Sequence, residues 1–303
     1  MKTSYPRIRL GDICAWFGLT RQAHYAYKNR RRDRLIEYQM VLEKVAEIRK
    51  DHSRIGGRKL HQKLQPFLAQ HEIKLGRDAL FDLLAANGLL IRKRKRKVRT
   101  TQSNHRYKKY PNQIKNFIPT APNQLWVSDI TYWDIAGKFA YLSLITDAYS
   151  HMIVGYTLSE NLKAIGPLTS LRQALARLDQ PPEGLIHHSD RGIQYCCDAY
   201  TGLLGKNHIT ISMTEDGDPR ENAIAERING ILKHEYLYTQ SVDNFEQARR
   251  VLDRAIWLYN TDRPHMSIGN MTPHEVHHGN HQIAPIQLWK NYYHKKDFPN
   301  QDV

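Results

Sequence analysis

Hydrophobic positions recur at helical spacing through the first part of the chain. Leu10 to Phe17 and Arg21 to Asn29 read as two short helices on either side of a glycine turn, with Thr20 as the N-cap of the second. A longer helical pattern runs from about Arg32 to Asp51, and two glycines end it. Two helices around a tight turn are typical of a helix-turn-helix.

A second pair of helices is predicted from Arg58 to Leu68 and from Arg77 to Ala86, with Asn87-Gly88 in the C-cap position. This pair resembles another helix-turn-helix. The basic run that follows consists of Arg92, Lys93, Arg94, Lys95, Arg96 and Lys97. It reads as the start of a basic linker that neutralises DNA phosphates, with a merely solvated run of charge as the alternative.

From residue 123 the pattern changes to short runs rich in β-branched and aromatic residues. The predicted order is three strands, a helix, a strand, a helix, a strand and a helix. That order predicts an α/β fold, a mixed sheet with flanking helices on both faces. The predicted elements are strands at Leu125–Trp133, Tyr141–Thr146 and Met152–Leu158, a helix through Leu168 and Leu175, a strand at Leu185–His188, a helix at Gln194–Lys206, a strand at Thr210–Met213 and a helix at Asn222–Tyr236.

The change of pattern predicts five segments. They are an N-terminal helix-turn-helix region at 1–57, a second helical DNA-binding unit with a basic tail at 58–100, a linker at 101–121, a catalytic core at 122–278 and a C-terminal tail at 279–303. The tryptophans Trp126, Trp133 and Trp257 are expected in the core.

Charge divides the chain in the same place. Residues 1–120 hold 29 Lys and Arg against 9 Asp and Glu, so residues 121–303 hold 45 − 29 = 16 basic and 30 − 9 = 21 acidic side chains. A basic front half beside a mildly acidic back half indicates that one part binds a polyanion while the other uses carboxylates for another purpose. DNA or RNA is favoured over a membrane, because no strongly amphipathic basic helix with bulky aromatics occurs.

The sequence lacks a membrane-spanning run and a paired set of cysteines, which narrows the class of protein further. No run of about 18 apolar residues could cross a bilayer, so a soluble, cytoplasmic protein is expected. The cysteines, Cys14, Cys196 and Cys197, are odd in number and lack the spacing of a zinc site or a disulfide framework, so we expect reduced, buried thiols.

Three acidic residues carry the candidate chemistry. Asp129 falls in the middle of a predicted strand among large apolar neighbours, where a carboxylate is costly unless its charge is compensated. Asp190 follows the end of a later strand, where open α/β sheets place ligand-binding residues. Glu226 lies on the last helix, on a polar face shared with Asn222, Asn229, Gly230 and Lys233. Each acid taken singly has an equally good structural explanation: a salt bridge for Asp129, a turn or cap for Asp190 and a surface charge for Glu226.

Taken together, three convergent carboxylates predict an oxygen-lined metal site. Such hard ligands suit Mg²⁺ or Mn²⁺ rather than zinc. Two such ions can activate a water or a 3′-hydroxyl and stabilise the departing oxygen of a phosphodiester. His188 is a possible neighbour of this site, whereas zinc binding by His187 and His188 is not favoured.

These residues resemble a known signature. Asp129, Asp190 and Glu226, with 226 − 190 − 1 = 35 residues between the last two, look like the DDE signature of the retroviral-integrase catalytic core. The sequence segments around these acids and elsewhere in the chain resemble those of the transposases of bacterial insertion sequences. In particular, they resemble the product of the second of two overlapping reading frames. They are His52–Arg58, His188–Tyr195, Glu221–Glu226, Leu232–Glu235 and Tyr259–His265.

The resemblance implies a ribonuclease H-like core in which Asp129, Asp190 and Glu226 are the catalytic metal ligands for two Mg²⁺ or Mn²⁺ ions. It also implies that Lys233 contacts DNA near the cut, with Asn222 as a weaker candidate. Element ends and target DNA would be the substrates. We expect a homo-oligomer on DNA and, as a further partner, the upstream reading-frame product. The His/Cys zinc domain of retroviral integrases has no counterpart in this sequence.

Three functions follow for testing. The leading one is a transposase that cuts insertion-sequence ends and joins the resulting 3′-hydroxyls to target DNA. A non-catalytic DNA-binding regulator, or a partner of a fused transposase, would need only the basic front half. A structure-selective nuclease on the same fold would cut without joining.

Overall fold

The computed structural model describes residues 9–91, 106–115, 117–178, 183–215 and 222–279. The chain divides into two units. A helical unit comprises the chain up to Asp51 together with Gly56–Ile91, and a sheet unit comprises His52–Ile55 and the chain from Arg92 onward. Among the described residues, no helix is long and apolar enough to cross a membrane.

The helical unit contains four helices. Leucine and valine side chains at helical spacing form its interior, among them Val41, Val45, Leu60, Leu64, Leu80 and Leu84. Gly57 is required by packing within this unit, because a Cβ there would lie 2.7 Å from the Phe81 ring. The helices are α1 (Leu10–Trp16), α2 (Arg21–Asp51), α3 (Gly57–Gln70) and α4 (Arg77–Ala86).

The predicted short helix Arg21–Asn29 is wrong as a separate element, because α2 continues without a break to Asp51. No proline or glycine lies between the two predicted segments, so nothing in the backbone ends the first one. The predicted cap is present: the Thr20 Oγ1 accepts a hydrogen bond from the Ala23 N–H at 3.1 Å. The predicted boundary between the segments 1–57 and 58–100 stays a prediction.

The sheet unit follows the predicted order of strands and helices. Its elements are β1 (Leu125–Ile135), β2 (Lys138–Asp147), β3 (Ile153–Ser159), α5 (Ile165–Leu175), β4 (Ile186–Ser189), α6 (Ile193–Cys196), α7 (Asp198–Lys206), β5 (Thr210–Met213), α8 (Ala223–Ile231), a π-helical segment (Leu232–Tyr236), a 3₁₀ turn (Leu237–Thr239), α9 (Phe245–Thr261), a 3₁₀ turn (Met266–Ile268) and α10 (Pro273–His278).

The five strands form one mixed sheet in the order β3-β2-β1-β4-β5. β1, β2 and β3 pair antiparallel through hairpins, whereas β1–β4 and β4–β5 are parallel. Ala136 and Gly137 make the first hairpin turn with positive φ angles of 48° and 82°. The expected α/β fold, a mixed sheet with flanking helices preceded by a helical region, is confirmed.

Each face of the sheet carries its own hydrophobic cluster, because neighbouring strand residues point to opposite faces. Leu144 belongs to the cluster that α8 and α9 cover, and Ile145 belongs to the cluster under α5 and α7. α5 lies close to β3: a Cβ on Gly155 would lie 2.2 Å from the Ser170 carbonyl oxygen. The sheet is therefore fixed between helices on both sides.

Three details differ from the predicted elements. The predicted helix Gln194–Lys206 is two helices, because Cys197 adopts an extended conformation between them. The last predicted helix changes to π geometry at Leu232. Trp257 is 51% exposed on the outer face of α9, with the Arg254 guanidinium 4.5 Å from its ring centroid, so its assignment to the core is wrong.

The cysteines carry no disulfide. Cys14 and Cys196 are buried as expected, whereas Cys197 is partly exposed.

Candidate active site

Asp129 occupies the central strand of the sheet. Trp126, Val127 and Ser128 immediately before it are buried, and β1 is hydrogen-bonded on both sides, to β2 and β4. The register of β1 and β4 pairs Val127 with His188. The negative charge of Asp190 contributes to the raised pKa of Asp129, which indicates that the two carboxylates lie near each other beyond the paired part of β4.

Asp190 begins the turn that leaves β4. Its Oδ1 accepts a hydrogen bond from the Gly192 N–H at 3.0 Å, which fixes the carboxylate at the strand end. A Cβ on residue 192 would lie 3.0 Å from the same oxygen, so a glycine keeps this turn open. The position matches the predicted one, at the carboxyl end of a parallel strand.

Glu226 lies in the first turn of α8 and is exposed. The same face of this helix, one turn later, carries Asn229, whose Nδ2 donates to the Asp129 Oδ2 at 2.7 Å. Asn229 is only 4% exposed. This hydrogen bond fixes α8 over β1 and brings Glu226 to the side of the sheet where Asp129 lies.

The three carboxylates influence one another electrostatically. The pKa of Asp129 is raised from 3.8 to about 7, first by burial and then by the negative charges of Asp190 and Glu226. The hydrogen bond from Asn229 acts in the opposite direction and lowers this pKa. A carboxylate held this way gains from a nearby cation. In the part of the chain that the structure describes, no three His, Cys, Asp or Glu side chains stand close enough to form a complete metal cage.

The donor set nevertheless fits an oxygen-binding divalent ion. Mutual repulsion of carboxylates is relieved when a cation lies between them. The Asn229 Oδ1, on the amide that binds Asp129, is buried and has no hydrogen-bond partner among the described residues. Burial, then Tyr200 and the charges of Asp129 and Asp190, raise the pKa of Tyr195 in the cluster on the α5 and α7 side of the sheet. Buried oxygens of this kind are normally satisfied by water or an ion.

Lys233 lies beside this site, in the π-helical segment. Its Nζ donates to the Thr131 hydroxyl at 2.5 Å and lies 4.5 Å from the centroid of the Tyr132 ring. Thr131 is two residues beyond Asp129 on the same strand and therefore points to the same face. The predicted DNA-contacting cation is thus held near the acids by β1.

The remaining predicted site residues have different positions. Asn222 is buried and its Nδ2 donates to the Ser128 carbonyl at 2.9 Å, so its amide joins the start of α8 to β1, and contact with DNA stays a prediction. His188 is buried, and its Nδ1 lies 2.8 Å from the Ser212 hydroxyl on β5. The run of Arg92, Lys93, Arg94, Lys95, Arg96 and Lys97 lies outside the described residues.

Sequence reasoning placed Asn229 on the polar face that carries Glu226, three residues after it, but did not foresee its hydrogen bond to Asp129. It missed Thr131 and Tyr195 as residues of this region. Arg263 and His265, from the Tyr259–His265 segment, are buried: the Arg263 guanidinium binds the Glu235 carboxylate through Nε and Nη2 at 2.8 and 2.7 Å. A buried guanidinium in this ion pair is structural.

The sequence of this chain matches two protein-family models and several curated relatives. Two models described as "Integrase core domain" match residues 119–219 and 207–273. The "Insertion element IS600 uncharacterized 31 kDa protein" of Shigella sonnei is 38% identical over 278 residues, which cover 90% of this chain and 100% of the relative. The "Transposase for insertion sequence element IS629" of Shigella sonnei is 33% identical, covering 75% of this chain and 74% of the relative.

Solved structures show weaker similarity. The HTLV-2 integrase catalytic core domain in complex with magnesium, in its trimeric form, is 20% identical with a TM-score of 0.43, covering 52% of this chain and 99% of that one. The integrase of a simian T-cell lymphotropic virus intasome, bound to the PP2A regulatory subunit B56 gamma, is 18% identical with a TM-score of 0.47. That similarity covers 78% of this chain and 76% of the other.

Proposed function

The chain belongs to the insertion-sequence transposases that carry an integrase core domain, and we propose that it cuts the ends of its element and joins the 3′-hydroxyls to target DNA. Membership of this family makes it an enzyme of the polynucleotidyl transferase type. The observation that best supports the cut-and-join activity is that the charges of Asp190 and Glu226 both act on the buried carboxyl of Asp129.

We propose that Asp129, Asp190 and Glu226 would together hold two Mg²⁺ or Mn²⁺ ions. When bound, such a pair supplies activation of the attacking oxygen and stabilisation of the departing one. The protein's own part is positioning. β1 and the turn after β4 would supply the Asp129 and Asp190 carboxylates, and the Asn229 amide orients the Asp129 carboxylate and favours its ionised form.

Lys233 would bind a phosphate oxygen of the DNA strand at the site. A lysine is a compact point charge suited to this task, and its ammonium is already oriented by Thr131 and Tyr132. The basic front half would bind DNA without regard to sequence and with strong salt dependence. Because two element ends must be processed together, we propose that at least two protomers assemble on DNA.

The test uses the full chain with a duplex that carries one end of its element, in the presence of Mn²⁺. We expect release of a 3′-hydroxyl end, followed by joined products when a supercoiled target is added. The substitutions Asp129→Asn, Asp190→Asn and Glu226→Gln should abolish both steps and leave DNA binding intact. The control Asp198→Asn removes an exposed acid of the same unit and should retain both steps.

The outcomes separate the three functions. Wild-type protein that binds DNA and never cuts would support the non-catalytic regulator. Cutting without joined products would support the nuclease. A variant that cuts at the wild-type rate would remove that residue from the mechanism.

A further inference from the structure

Three motifs that lie far apart in the chain meet within the sheet unit. They are the tetrapeptide His52–Ile55, the π-helical segment Leu232–Tyr236, and Asp262 with Arg263 after α9. The chain directly before and after the tetrapeptide belongs to the helical unit, so these four residues are an isolated contribution to the sheet unit.

His52 is the centre of this meeting point. Its ring is 1% exposed, with Nε2 at 2.7 Å from the Asp262 Oδ2 and Nδ1 at 3.0 Å from the Tyr236 hydroxyl. An ionised carboxylate only accepts hydrogen bonds, so Nε2–H is the donor to Asp262. Burial raises the pKa of Tyr236 far above its ordinary value, so its hydroxyl keeps its proton. The Ser53 hydroxyl adds a donor, at 3.3 Å from the Glu235 carbonyl oxygen.

A second set of contacts holds the same segment from the other side. The Arg263 guanidinium makes a two-pronged ion pair with Glu235, and its Nη1 lies 2.9 Å from the His265 Nε2. Arg263 directly follows Asp262, the residue that His52 binds. The π-helical segment is therefore fixed at Tyr236 by His52 and at Glu235 by Arg263.

A π-helical turn needs such support, because its hydrogen-bond geometry is uncommon and such turns occur mostly at functional sites. The side chain that this turn presents to β1 is Lys233, three residues before Tyr236. Lys233 in turn binds Thr131, two residues beyond Asp129. A continuous chain of contacts thus runs from His52 through the π-helical segment to the strand that carries the first acid.

We propose that His52 is a positioning residue for the reaction: it fixes the π-helical segment and so holds Lys233 in register with Asp129. The proposal rests on the proposed function for its catalytic consequence. On this proposal, the catalytic function of the sheet unit requires the tetrapeptide His52–Ile55, which lies about 70 residues before β1 in the chain.

The experiment compares His52→Ala, His52→Gln and Tyr236→Phe in the full chain with wild type. His274→Ala, at an exposed histidine of α10, is the matched control. Each variant is tested for its melting temperature, its DNA affinity, its cleavage rate at saturating DNA with Mn²⁺, and amide hydrogen exchange across residues 232–236. Tyr236→Phe removes one hydroxyl and keeps the ring.

For His52→Ala we expect exchange across the π-helical segment to accelerate at least about tenfold, DNA affinity to stay within about twofold, and the cleavage rate to fall roughly 10- to 100-fold. Gln at position 52 can donate to Asp262 and accept from Tyr236, so it should recover most of the rate. Tyr236→Phe should show a smaller effect of the same kind, and His274→Ala should match wild type.

Unchanged exchange across residues 232–236 in His52→Ala would overturn the proposal, as would faster exchange with a wild-type cleavage rate. A parallel loss of melting temperature, affinity and rate that Gln does not rescue would also overturn it, because that is the signature of a purely structural residue. If wild-type protein cuts no DNA, the proposed function fails, and the exchange data still decide whether His52 fixes the segment.

Discussion

Removing the single hydrogen bond from Asn229 to Asp129 should shift the titration of the active-site carboxylate. Asn229→Leu keeps the approximate size of the side chain and removes the donor 2.7 Å from the Asp129 Oδ2. A hydrogen bond to a charged group is worth about 1.5–3 kcal/mol, and one pKa unit corresponds to 1.36 kcal/mol, so the pKa should rise by about one to two units.

The starting point makes this shift visible at neutral pH. With a pKa of about 7, roughly half of the Asp129 carboxyls are ionised at pH 7 in the metal-free protein. After a rise of one unit or more, about one tenth or less would be ionised. We expect the ¹³C NMR titration of Asp129 to move upward accordingly, and Mn²⁺ affinity at pH 7 to fall while affinity at pH 9 falls less.

The same pKa fixes the sign of a stability effect. Because the folded-state pKa lies above the ordinary value of 3.8, the contribution of Asp129 to stability is fully present below pH 3.8 and is lost as pH rises to about 7. Asn229→Leu should extend that loss to higher pH, and Mn²⁺ should offset it.

The matched control is Asn207→Leu. Asn207 also makes one side-chain hydrogen bond, to the Leu203 carbonyl at 2.8 Å, but lies at the opposite end of the parallel strands. The pKa of Asp129 in Asn207→Leu should match that in the wild-type protein. An Asp129 pKa that is the same in Asn229→Leu and wild type would refute the reasoning, since the hydrogen bond would then have no effect on the charge.

Three further predictions follow from the packing. Gly155→Ala should destabilise the protein by about 3 kcal/mol or more in chemical denaturation, because the added Cβ meets the Ser170 carbonyl oxygen at 2.2 Å; a loss below about 1 kcal/mol would show that α5 shifts freely. Arg263→Met should cost about 3–5 kcal/mol by leaving Glu235 without its buried partner, and full stability would contradict that role. Tyr195→Phe should leave the melting temperature of the metal-free protein unchanged or raise it, since its buried hydroxyl has no hydrogen-bond partner; a fall of several degrees would reveal one.

Local patterns in the sequence predicted most of the fold. Runs of β-branched, aromatic and apolar residues predicted β1 to β5, and glycines predicted the hairpin turn, the start of α3 and the end of α4. The long α2 was not foreseen, because the pattern of apolar side chains weakens near residue 30 while the backbone has no reason to stop there. The π geometry at Leu232 was also unforeseen, since the segment is held by contacts between residues 28 and 184 positions apart in the chain.

The three acids were predicted from their positions on strand, strand end and helix, and their catalytic role stays a proposal. Their supporting residues could not be predicted in the same way. Asn229, Thr131 and Tyr195 are unremarkable residue types whose importance comes from a partner across the fold. Sequence spacing reports neighbours along an element, whereas the orientation of a carboxylate depends on side chains brought from other elements.

The isolated tetrapeptide has a consequence for how the chain folds. His52 emerges early in synthesis, yet its partner Asp262 follows 210 residues later, so the contact that joins them closes one of the longest loops in the protein. Such closures slow folding, because the entropy of the loop is lost before the contact forms. The helices of the front half contain mostly local contacts and are free to form first. Completion of the catalytic half would then be the last event, after nearly the whole polypeptide has been made.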